Sequence, residues 1–160
     1  MFKKILAYVD GSEVCEQMLD YVMEQAVHFG SKVILLAVNS IPVTTLAYAS
    51  PDQFRMMPAL LPDKLIMDAN SKAQSTLRKT AIRLAEKGID VECATEMGPV
   101  DATIVRYARE KKADLITMTA QAYKGWKRWL MGSVVDNVLR ECGVPVLVIS
   151  PVESHALSAA

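Results

Sequence analysis

No charge of either sign dominates this 160-residue chain: Lys and Arg together number 18, and so do Asp and Glu. A balanced chain exerts no bulk attraction on nucleic acid or an anionic membrane, so any basic function must come from a local cluster. Cysteine is also scarce. Cys15, Cys93 and Cys142 lie far apart, with no CxxC pair and only His28 and His155 beside them. That pattern argues against a disulfide framework or a zinc site and suits a reducing cytosol. No apolar run approaches the roughly 20 residues of a membrane span. The N-terminal MFKKILAYVDGSE has too short an apolar core for a signal peptide. No Ser-His-Asp set and no spaced pair of carboxylates stands out, so the expectation is a protein that is not an enzyme. The implied location is cytoplasmic, with no nucleic acid, membrane or metal partner.

What is present is a regular alternation. Hydrophobic residues make up 51% of the chain, enough at this length for one domain with a sizeable core. ILAYV (5–9), KVILLAV (32–38), ADLITMT (113–119) and VPVLVIS (144–150) read as short buried strands. IDVECAT (89–95) alternates like a strand. Between them run helical patterns. The first is capped by Ser12 and stopped by Gly30; others end at Gly88, start after Gly98-Pro99, or span 133–141. The order β-α-β-α-β-α-β-α-β predicts a parallel α/β sheet covered on both faces. Residues 39–62 carry Pro42, Pro51, Pro58 and Pro62 and predict a long connection, a feature that is usually functional or mobile. Residues 151–160 read as a flexible tail after a domain spanning 1–150.

A parallel sheet of this kind binds ligands beyond the carboxyl ends of its strands. The candidate loops begin at Asp10, Asn39 and Thr119. Asp10-Gly11-Ser12 is either a turn and helix cap or an acceptor for a base or ribose. The segment 119–133 ends at Gly132-Ser133, where a helix start offers free N–H groups and a positive dipole end to an anion. Ser133 is placed to cap that helix, with Asp136 completing a capping box. Lys124, Lys127 and Arg128 add local positive charge, and Gly132 allows close backbone approach. A solvated basic loop ahead of a well-capped helix is an equal reading of the same residues. Trp126 and Trp129 read as packing or partner-contact residues, and Met56, Met57 and Met67 as core, subunit-contact or groove residues. Cys15 reads as simply buried.

KKILAYVDGSE, KVILLAV, GPVDATIVRYAREKKADLITMT and GWKRWLMGSVVDNVLRECGVPVLVI together resemble the universal stress protein family over about residues 1–150. The resemblance implies a five-stranded parallel sheet of order 3-2-1-4-5, adenine nucleotide α-hydrolase-like. That order puts the loops after the first and fourth strands at the switch point. It also implies a homodimer through the last strand, Val144 to Ile149. The chain agrees, because an apolar edge strand needs covering and tolerates Pro145.

Members of the family divide into ATP-binding and non-binding types by a G-x-x-G-(nine residues)-G-[S/T] fingerprint. Gly132 and Ser133 match its end, but the two leading glycines fall on Thr119 and Ala122. By the same resemblance Asp10 is the base- and ribose-side aspartate and Val38 an adenine-side apolar residue. Met118, Gln121, Val134 and Val135 line the nucleotide site. If the replaced positions need φ > 0, each substitution strains the backbone by about 1–2 kcal/mol. A total loss of about 2–3 kcal/mol would weaken binding roughly 30- to 150-fold. The implied protein is a dimeric regulatory or protective module of the stress response, with protein partners and no tightly held ATP. The alternative is an ATP- or AMP-binding switch with Mg²⁺ and slow hydrolysis. An enzyme of the wider α-hydrolase-like group is a third reading, disfavoured because DGSEVCEQ lacks that group's glycine- and serine-rich loop.

Overall fold

The two most apolar runs of the chain form the middle of the sheet. In β1 (Lys4–Tyr8) Ile5, Leu6 and Ala7 are fully buried, as are Val33 to Leu36 in β2 (Lys32–Asn39). Strands buried on both faces need helices on both sides. The computed structural model supplies them; it describes residues 1–40, 63–120 and 132–150. After β1 come α1 (Glu13–Phe29), β2, α2 (Asp63–Ala85) and β3 (Val91–Met97), then α3 (Val100–Lys111), β4 (Leu115–Thr119), α4 (Ser133–Glu141) and β5 (Val146–Ile149). All strand pairs are parallel, as the repeating pattern predicts, and the order is β3-β2-β1-β4-β5, as the resemblance implies.

Alternation along the strands divides the core in two. Ala7, Val9, Leu35 and Ala37 pack with Met18, Leu19 and Val22 of α1 and Leu77 and Leu84 of α2. Leu6, Ile34, Leu36, Ile116 and Met118 pack on the other side with Ile104, Val105 and Ala108 of α3 and Val135 and Val138 of α4. Cys15, 2% exposed, belongs to the first layer. Met67 does not serve as core, since it is 68% exposed.

Three strands begin two residues later than the apolar runs suggest, for local reasons. Ile89 still closes the end of α2, its N–H donating to the Leu84 carbonyl. The Ala113 N–H likewise donates to Ala108, closing α3, while the Asp114 carboxylate accepts the N–H groups of Lys3 and Lys4. Pro145 has no N–H to give the ladder. The helix signals of α1 are more local and fall where expected: Ser12 caps it, accepting from the Cys15 N–H at 3.3 Å, and Gly30 ends it at φ 60°. Among the described residues no helix is long and apolar enough to cross a membrane.

Candidate ligand cleft

The strand order reverses between β1 and β4, so the chain leaves these neighbouring strands in opposite directions and opens a crevice. Asp10 stands at its floor. Gly11 follows in a left-handed conformation at φ +76°, which turns the chain sharply into α1 and brings Ser12 back onto Asp10. Oδ1 of Asp10 accepts from the Ser12 N–H at 2.9 Å and from the Ser12 hydroxyl at 2.7 Å. Oδ2 accepts from the Thr119 hydroxyl at 3.2 Å. The two readings of Asp10-Gly11-Ser12 are therefore not exclusive. The carboxylate organises the turn and cap and still borders the cleft.

Two cavities meet at this carboxylate. The smaller, about 240 Å³, lies between β1 and β4 and is lined by Met118 and Thr119 of β4 and by Gly132, Ser133, Val134 and Val135 at the start of α4. The larger, about 390 Å³, lies over β1 and β2 and reaches Val38, Asn39, Lys72 and Thr76. Tyr8, Asp10 and Ser40 border both. The fold thus brings together Asp10, Val38, Met118, Thr119, Gly132, Ser133, Val134 and Val135 from four separate stretches of chain. Gln121 and Ala122 lie outside the described residues, as do Lys124, Trp126, Lys127, Arg128, Trp129 and the 41–62 segment with Met56 and Met57.

Two local expectations change. Ser133 does not cap α4. The helix starts at Ser133 itself, Gly132 is the N-cap residue, and no side chain accepts there. Asp136 does not complete a capping box; its carboxylate accepts from the Arg140 Nε at 2.9 Å. The register of the first intrahelical bond, Asp136 N–H to the Gly132 carbonyl at 3.1 Å, shifts the serine one position into the helix. The N–H groups of Ser133, Val134 and Val135 are consequently left without intrahelical acceptors, at the positive end of the helix dipole. This makes the α4 start a better anion site than a capped helix would be. The second change concerns Thr119. Among the described residues Lys112 is the one non-glycine with a positive φ, so Thr119 carries no left-handed strain. Its side chain, 8% exposed, matters through volume and through its hydroxyl.

Tyr8, Ser40, Lys72 and Thr76 were not foreseen as cleft residues. A signal existed for Tyr8, the last residue of a strand whose carboxyl end faces the crevice. None existed for Lys72 and Thr76, which reach the cleft only because α2 packs across β2. Burial, with the Asp10 charge adding, pushes the Tyr8 phenol from 10.0 up to about 12. Burial also pushes the Cys15 thiol up to about 11, against a backbone hydrogen bond from Asp10 that lowers it. Among the described residues no three His, Cys, Asp or Glu side chains are grouped to hold a metal.

Comparison with known proteins agrees with this architecture. A family model described as the universal stress protein family matches residues 1–150. Universal stress protein MJ0531 of Methanocaldococcus jannaschii is 30% identical over 150 residues, covering 93% of this chain and 82% of that protein. The solved structure of MJ0577 from the same organism superposes with a TM-score of 0.76 at 26% identity, over 96% of this chain and 99% of that one. An Arabidopsis thaliana universal stress protein family structure with AMP bound shares the fold at a TM-score of 0.65 and 18% identity, over 98% of this chain and 96% of that one.

Proposed function

Since the chain belongs to the universal stress protein family, we propose that it is a dimeric, cytoplasmic, non-enzymatic module of the stress response whose cleft takes a nucleoside monophosphate and holds ATP poorly. The observation that carries this is the Thr119 side chain. It stands at the mouth of β4, buried, bonded to Asp10, where the family's nucleotide fingerprint has a glycine. A triphosphate reaching along the backbone from β4 to α4 meets that side chain. A single phosphate needs only the open N–H groups of Ser133 to Val135. Asp10 then faces the sugar and Val38 and Met118 the base. The AMP-bound plant protein of the same fold supports a ligand of that size.

Three of the acceptor positions of the Asp10 carboxylate are taken by the Ser12 cap and Thr119, which supports a positioning rather than a catalytic role for it. Acid extraction of the purified protein, followed by chromatography of the supernatant, tests the proposal. AMP-sized adenine nucleotide or none is expected. Stoichiometric ATP would contradict it.

A further inference from the structure

Asp10 is heavily engaged before any ligand arrives. A carboxylate offers about four acceptor positions. The Ser12 N–H and hydroxyl both donate to Oδ1, and the Thr119 hydroxyl donates to Oδ2. Among the described residues no further donor reaches it, which leaves one position open on Oδ2. A ribose presents two adjacent hydroxyls, so Asp10 accepts one of them while Thr119 keeps its place. The threonine is not easily displaced. It closes β4, paired in register with Ile149, its side chain is buried, and β-branching stiffens its rotation.

We infer that Thr119 is a specificity-determining residue: by holding Oδ2 of Asp10 it makes the cleft accept sugars with one free hydroxyl as readily as a full ribose diol. The ligand class is adenine nucleoside monophosphates in which one sugar hydroxyl suffices, 2′-deoxy and 3′-deoxy forms and a 3′,5′-cyclic phosphodiester included. This role is separate from obstruction of a triphosphate, because it acts through the hydroxyl and not through volume. It rests on the monophosphate reading of the cleft.

Calorimetric titration of the whole chain with AMP, 2′-deoxy-AMP, 3′-deoxy-AMP and 2′,3′-dideoxy-AMP tests it. In the native protein either single deletion should change Kd by less than about threefold, since the remaining hydroxyl takes the open position. The double deletion should weaken binding by about tenfold, the worth of one hydrogen bond to a carboxylate. In Thr119→Val, which keeps the shape and drops the hydroxyl, Oδ2 receives both hydroxyls and each single deletion should cost about tenfold. Thr119→Ser should behave as the native protein. A tenfold cost for each single deletion in the native chain, or native-like tolerance in Thr119→Val, overturns the inference and leaves the monophosphate reading standing. Failure of every analogue to bind any of the three proteins overturns both. Should Thr119→Val lose its native circular dichroism, the four-ligand comparison on the native chain decides alone.

Discussion

Tyr8 and Asp10 flank Val9 at the end of β1, and the charge of one shapes the acidity of the other. The Tyr8 phenol is held protonated up to about 12 and the Cys15 thiol up to about 11, from 10.0 and 9.0. Both groups bind their proton more tightly in the folded state. Their stabilisation is complete below pH 9 and is lost as pH rises, through about 9–11 for Cys15 and about 10–12 for Tyr8. Tyr8→Phe is therefore expected to flatten the upper part of the alkaline decline in denaturant midpoint; an unchanged slope would show that Tyr8 titrates as if free. At this scale the sequence was partly legible. Asp10, Met118 and Thr119 could be placed because strand ends face the crevice. The Asp10–Thr119 bond could not, because it joins residues 109 apart and exists only once β1 and β4 pair in register. Strain at Thr119 was a reasonable expectation from a glycine fingerprint, but a strand-end residue with an ordinary φ avoids it.

Helix starts decide the cleft's electrostatics. The α1 start is closed, with Ser12 accepting the Cys15 N–H and Glu13 and Glu16 in its first turn. The α4 start is open, with Gly132 at φ −53° and ψ 151° and no capping side chain. Any L-residue adopts those angles. Gly132→Asp should accordingly cap α4, raising stability by a few tenths of a kcal/mol, and place a negative charge where the phosphate belongs. The expected result is a higher melting midpoint with loss of AMP binding. A variant that melts lower, or still binds AMP as tightly, would show that the α4 start is not the anion site. The α1 cap was readable from Ser12 alone because capping is local. The α4 cap was misplaced by one residue, since serine and glycine both serve at an N-cap and only the helix register separates them. Strand starts drifted for a similar reason: apolar runs do not show where a helix-closing bond ends and a ladder begins.

For the molecule as a whole, β5 is, among the described residues, one of the two edges of the sheet, opposite β3, and each of its residues is only partly buried. The carbonyls of Pro145 and Ile149 accept from Ile116 and Ala120 of the β4 side. By alternation the N–H groups of Val146 and Val148 point away, available to a second copy. Val148→Pro removes an outward donor without touching the β4 ladder, so it should turn a dimer into a monomer in sedimentation velocity. A native chain that is already monomeric at high micromolar concentration would remove the dimer from the proposal. The layer architecture was legible because period and element order constrain it strongly, and the strand order came from the family resemblance, since the pattern alone does not fix it; the cleft's contribution from α2 was not legible, because no local pattern encodes which helix overhangs which strand. Discrimination between nucleotides is the property on which the rest depends. The most direct measurement is a calorimetric titration of AMP and ATP against the native chain and against Thr119→Gly combined with Ala122→Gly. AMP should bind the native protein more tightly than ATP, and the double variant, relieved of side-chain volume rather than of strain, should gain ATP affinity by about tenfold, roughly 1.4 kcal/mol. Equal or tighter ATP binding by the native chain, or no gain in the variant, would contradict it.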